Sequence, residues 1–154
     1  MEAVTLPSSS ALHDRVAASD FCDCFAVPAD VPVRRAAGII TSWPGWASAL
    51  LALRKVVTAP FGLSQDGPPA EDKIGPFPVE LETKDEIIAG FDDRHLNFRV
   101  SVLADQGKVH LATWVHPHNW AGRLYLVAIM PFHIAIARDA LARVAAFEDD
   151  RLIA

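Results

Sequence analysis

Hydrophobic and polar residues alternate with a period of two from residue 94 to 103 and again from 108 to 116. Leu96, Phe98, Val100 and Val102 fall on one side of the first run, with Asn97, Arg99 and Ser101 on the other. In the second run Val109, Leu111, Thr113 and Val115 oppose His110, Ala112, Trp114 and His116. Such alternation marks half-buried strands, because successive strand side chains point to opposite faces. Between the runs, Ala104-Asp105-Gln106-Gly107 ends in glycine and predicts a hairpin with a four-residue turn. That turn pairs Val102 with Val109, Val100 with Leu111, Phe98 with Thr113 and Leu96 with Val115. A slip of one residue would mix the two faces.

After the hairpin the pattern predicts one long helix over 121–147, with Asn119 as its cap. From Leu124 to Met130 it is apolar nearly all round, so it must be covered on most sides. Pro131 lacks a backbone donor and predicts a kink. Beyond Arg138 the helix becomes amphipathic.

Upstream, Phe21, Asp23 and Phe25 alternate with Cys22 and Cys24 in a first strand, and a short helix follows over 33–40. Pro44 opens a second helix over 46–57, with Trp46, Leu50, Leu53 and Val57 at helical spacing. Residues 65–76 are rich in Gly, Pro, Asp and Glu and read as a surface loop. Phe77, Val79, Leu81 and Thr83 then line one face of a strand, and a short strand over 86–91 ends at a turn on Asp92-Asp93. Residues 1–11 read as a loose polar tail. The order of elements predicts one α+β domain over 12–154. An antiparallel sheet of about five strands wraps the long C-terminal helix, with two short helices after the first strand.

Composition narrows the function classes. Hydrophobic residues make up 51% and charged residues 21%, ordinary for a folded domain. The net charge of -5 and the lack of any basic run exclude a nucleic-acid partner on electrostatic grounds. Cys22 and Cys24 are too close for an ordinary disulfide and have no second pair to complete a zinc site, so they read as reduced thiols. The N-terminus has no apolar core of a signal peptide. The apolar run 124–137 is shorter than the roughly 20 residues of a membrane span and reads as a buried helix. The resulting expectation is a cytoplasmic protein with no membrane span and no cofactor.

The segment Asp92-Asp93-Arg94-His95-Leu96-Asn97-Phe98-Arg99 resembles a bacterial family with no assigned activity, domain of unknown function 2867. So do His116-Pro117-His118-Asn119-Trp120-Ala121-Gly122-Arg123-Leu124-Tyr125 and Pro131-Phe132-His133. Leu51-Ala52-Leu53-Arg54 and Pro60-Phe61-Gly62-Leu63 are similar to it as well. The resemblance implies a helix-grip fold of START and Bet v 1 character, whose members hold apolar ligands between sheet and helix. It also implies an association with reductase domains, although this chain has no Gly-x-Gly-x-x-Gly. The family supplies no catalytic residues to carry over.

Candidate ligand-binding residues are His95, Arg99, Trp114, His116 and Tyr125. Arg99 can hold a carboxylate or phosphate, Trp114 gives an apolar wall, and the histidines titrate near neutral pH. Tyr125, the only tyrosine, can offer its hydroxyl. The competing reading makes this face of the hairpin the solvated outer face of the sheet. His116, His118 and His133 invite comparison with a three-ligand metal site, but no carboxylate is placed nearby in sequence and no metal is assigned. Three functions remain open. The first is a binding module for a small apolar or amphipathic molecule. The second is a cyclase- or hydrolase-like enzyme in which His95, Arg99 and His116 converge inside the cavity. The third is an interaction domain for a reductase-type partner, with an exposed apolar patch and a homodimer or complex.

Overall fold

The computed structural model describes residues 1–42, Gly45 and 68–153, with side chains as far as Glu148. The expected helix over 46–57 and residues 65–67 of the expected loop lie outside the described residues. Strand β1 is Glu2–Ala3, followed by a 3-10 turn over Ala11–Asp14. Strand β2 is Phe21–Pro28 and helix α1 is Val33–Thr41. Strands β3 to β7 are Lys73–Ile74, Phe77–Glu82, Glu86–Asp92, Leu96–Asp105 and Lys108–Pro117. Helix α2, Trp120–Ile153, runs unbroken through Pro131. The strands form one antiparallel sheet in the order β1-β2-β7-β6-β5-β4-β3.

Each element follows from its residues. In α1 the buried Val33, Ala36, Ala37 and Ile40 recur at helical spacing and face the sheet. The first turn of α2 is capped by Asn119, whose Oδ1 accepts from the Gly122 N–H at 3.0 Å. The β6–β7 hairpin keeps the expected faces but pairs two residues further along. Asp105 faces Lys108, Val102 faces Leu111, Val100 faces Thr113 and Phe98 faces Val115. The loop is only Gln106-Gly107, with φ of 50° and 70°. Two successive positive φ values give the tight turn whose twist suits a hairpin. A shift of two residues leaves every side chain on its face, so alternation alone could not fix it. In β4 the register shifts between Val79 and Leu81. Leu81 therefore leaves the face it was expected to share with Val79 and packs with Ile88 and Trp114.

The inner face carries the main core. Val27, Ile87, Ala89, Val102, Val109 and Leu111 pack against α1 and the second half of α2 through Ala137, Ala140, Leu141 and Val144. The centre of the outer face is covered rather than solvated, while Glu80 and His116 at its rim stay exposed. Residues 1–14, expected as a loose tail over their first eleven, carry β1 and lay Val4, Leu6 and the fully buried Leu12 over Cys24, Ile88 and Trp114. Glu86 anchors this segment. Its carboxylate accepts from Ser10 Oγ and Ser101 Oγ, each at 2.6 Å, and from the Ala11 N–H at 2.8 Å.

Candidate functional site

Alternation along β6 and β7 places Arg99, Trp114 and His116 together on the outer face, turned away from α2. Arg99 is buried, and two of its three guanidinium nitrogens are bonded within the sheet. It donates through Nε to Glu80 Oε2 at 2.6 Å, and through one terminal nitrogen to Asn97 Oδ1 at 2.6 Å and the Phe98 carbonyl at 2.7 Å. Its stem crosses Gly90, where a Cβ would stand 3.1 Å from Arg99 Cδ and 2.3 Å from the Phe98 carbonyl oxygen. The guanidinium is thus held within the sheet, and the expected cavity triad of His95, Arg99 and His116 does not form beneath α2.

Asp20, which precedes β2, organises the end of this face. Its carboxylate accepts from Trp114 Nε1 at 2.9 Å and the Ala17 N–H at 3.0 Å, and lies 2.7 Å from His116 Nδ1. Burial alone would raise its pKa. The bonds from His116, Ala17 and Trp114 outweigh that and hold Asp20 below the usual carboxylate range. Beside it, His118 Nε2 meets Asp92 Oδ1 at 2.6 Å, and the rings of His116 and His118 stand 5.6 Å apart. His95 pairs with the capping Asn119. Tyr125 is half-buried in the first turns of α2. The sequence grouped His116 with Trp114 but gave no sign of Asp20. Only the pairing of β2 with β7, which sets Phe21 against Val115, brings it there.

His133 sits elsewhere, on the inner face. Its Nε2 lies 2.9 Å from Asp23 Oδ2, and Phe21 meets its ring edge-on at 6.3 Å. The three histidines of the metal comparison are therefore divided between two faces. Among the described residues no group of three His, Cys, Asp or Glu comes together to hold a metal ion. The other oxygen of Asp23, Oδ1, is buried and has no hydrogen-bond partner. Sequence reasoning passed over Asp23. Its one signal was a carboxylate at an apolar position of a strand.

Packing above Asp23 is uneven. On α2, Leu126, Met130 and His133 fall on the same helical face as the buried Ala137, Leu141 and Val144, yet all three are only half-buried. On the sheet, Phe98, Val100 and Thr113 face the helical layer and are half-buried too. The rings of Phe77 and Phe91 pack edge-on against Phe98 at 5.5 and 4.8 Å. The sheet and α2 are tightly packed at one end and loosely covered at the other. Two pockets open elsewhere. One of about 380 Å³ is bounded by Ser9, Asp85, Glu86 and Gln106, and one of about 440 Å³ by Val4, Leu6, His13 and Cys22. Neither lies between sheet and α2.

An open antiparallel sheet gripping one long C-terminal helix defines an α+β protein of helix-grip-like architecture. The chain belongs to the family of proteins of unknown function DUF2867, which matches residues 15–140. No curated protein and no solved structure matches it.

Proposed function

We propose that this protein binds a small amphipathic molecule between the sheet and the first half of α2. The carrying observation is the orphaned Asp23 Oδ1. A buried carboxylate oxygen without a donor costs about 1–3 kcal/mol, and buried polar groups in folded proteins are nearly always satisfied. A ligand that donates a hydrogen bond there removes the cost. Half-buried Phe98, Val100, Leu126 and Met130 supply apolar contact for its body. Asp23 selects a hydroxyl or an amine and repels a carboxylate.

Dodecylamine, dodecanol and dodecanoate are suitable probes in a thermal-shift assay. The amine and the alcohol are expected to raise Tm through preferential binding to the folded chain, and dodecanoate to leave it unchanged. Asp23→Leu should abolish the discrimination. Equal shifts for all three probes, or none, would overturn the reading.

A second reading rests on a separate observation, the His116–Asp20 pair. An imidazole oriented by a buried carboxylate through Nδ1 is the arrangement of a general base. An ester-hydrolysis rate that disappears in His116→Gln, with the fold intact, would support that reading. A rate unchanged by the substitution would remove it.

A further inference from the structure

The first half of α2 leaves an apolar stripe in solvent. Trp120, Leu124 and Val127 are 76%, 62% and 72% exposed, and Pro131 and Ala135 continue the same face. The stripe ends at Arg138, also exposed. Trp120 and Arg138 are separated by five whole turns of about 3.6 residues, so they project in the same direction about 27 Å apart. No acidic residue occurs from 120 to 138. Residues 134, 135, 141 and 142, one turn either side of Arg138, are all aliphatic. Asp139 is already taken by Arg143, at 2.9 Å. Arg138 is a cation without an ion pair among the described residues, at the far end of a stripe that opens on an exposed indole.

We infer that this stripe is the interface of a homodimer in which two α2 helices pair antiparallel about a two-fold axis near residue 129. That axis places Trp120 of each chain over Arg138 of the other copy, a reciprocal cation–π contact. It sets Val127 against Pro131 between them. A parallel pairing would bring Arg138 onto Arg138, so the charge pattern selects the antiparallel one. Ala128 and Ala135 let the axes approach to the usual 8–10 Å. The stripe is about one helix wide, so each partner buries less than the about 800 Å² of a standard interface. The expected dissociation constant is therefore micromolar rather than nanomolar. The inward face of α2, where Leu126 and His133 lie, remains free for the ligand.

Sedimentation velocity from about 1 to about 200 μM spans that range. The wild-type chain is expected to pass from monomer to dimer. Val127→Asp, at an exposed position, should leave Tm unchanged at about 1 μM, where the wild-type chain is a monomer, and abolish the dimer at about 200 μM. Trp120→Arg places two cations together and should weaken association at least tenfold. The double variant Trp120→Arg with Arg138→Glu should restore it, because the guanidinium introduced on one copy then meets the carboxylate introduced on the other. A monomer at every concentration would overturn the proposal. So would a double variant no tighter than Trp120→Arg alone. A chain that stays monomeric but floats with phosphatidylcholine–phosphatidylglycerol vesicles, and loses that in Val127→Asp, would give the stripe to a lipid surface and overturn it as well.

Discussion

Replacing Glu86 with alanine should cost this domain a large part of its stability and release its N-terminal segment. Glu86 is 4% exposed and opens β5. Its carboxylate is the common acceptor for two hydroxyls and one backbone N–H, from Ser10, Ser101 and Ala11. Ser101 is 1% exposed, so its hydroxyl has no water to turn to once the acceptor is gone. Hydrogen bonds to a charged group contribute about 1.5–3 kcal/mol each, and an orphaned buried donor costs about 1–3 kcal/mol. The three bonds share one carboxylate and do not add. Removing a buried charge also recovers part of its desolvation. A net loss of about 3–4 kcal/mol is expected, against a total of roughly 5–15 kcal/mol for a folded domain.

Urea denaturation gives the total, and hydrogen exchange at the Ala11 amide reports the local release. Two further variants separate anchoring from general damage. Ser10→Ala should be destabilising in the wild-type chain and nearly neutral once Glu86 is alanine, because its partner has already gone. Leu12→Ala should loosen the same segment without touching the carboxylate. A loss below about 1 kcal/mol for Glu86→Ala, or an equal effect of Ser10→Ala in both backgrounds, would refute the reasoning.

Gly122→Ala would gain about 1 kcal/mol in an isolated helix. Here its Cβ would lie 2.2 Å from the His95 carbonyl oxygen, so a net loss of about 1–3 kcal/mol is expected in thermal denaturation; any stabilisation would contradict the contact. Asp20 titrates below its unfolded value of about 3.9. Its contribution is therefore present above that pH and is lost as pH falls through the folded pKa. Asp20→Asn should lower the urea midpoint at neutral pH and flatten its fall in acid, and parallel curves for the two proteins would count against the Asp20 network. Burial, with Cys22 and Asp23 adding to it, pushes the Cys24 thiol up to about 12, and burial raises Cys22 as well. Alkylation by iodoacetamide at pH 8, followed by mass, should leave Cys24 unmodified in the folded protein and modify it in urea; rapid labelling when folded would contradict its burial.

Residue pattern alone determined the main strands, the long helix and the class of this protein, but not the two-residue strands β1 and β3. Strict alternation over 94–103 and 108–116 marks a two-faced hairpin, and the change of period at Asn119 marks the start of a helix. The α+β architecture follows, because one sheet and one long helix must cover each other's apolar faces. Three things lay beyond that reach, each because it depends on contacts distant in sequence. The hairpin register was set by the backbone of Gln106-Gly107, since a two-residue shift is invisible to alternation. Which face met the helices was decided by the whole sheet. Arg99 carries the same polar pattern either way, and on the outer face it is held by Glu80 and by the close approach of its stem to Gly90. The apolar first half of α2 reads from sequence as a helix to be covered on most sides. Of residues 120–136 only Gly122 is buried within the chain. A polypeptide encodes how much apolar surface an element carries, and the packing of the other elements decides how much of it they cover.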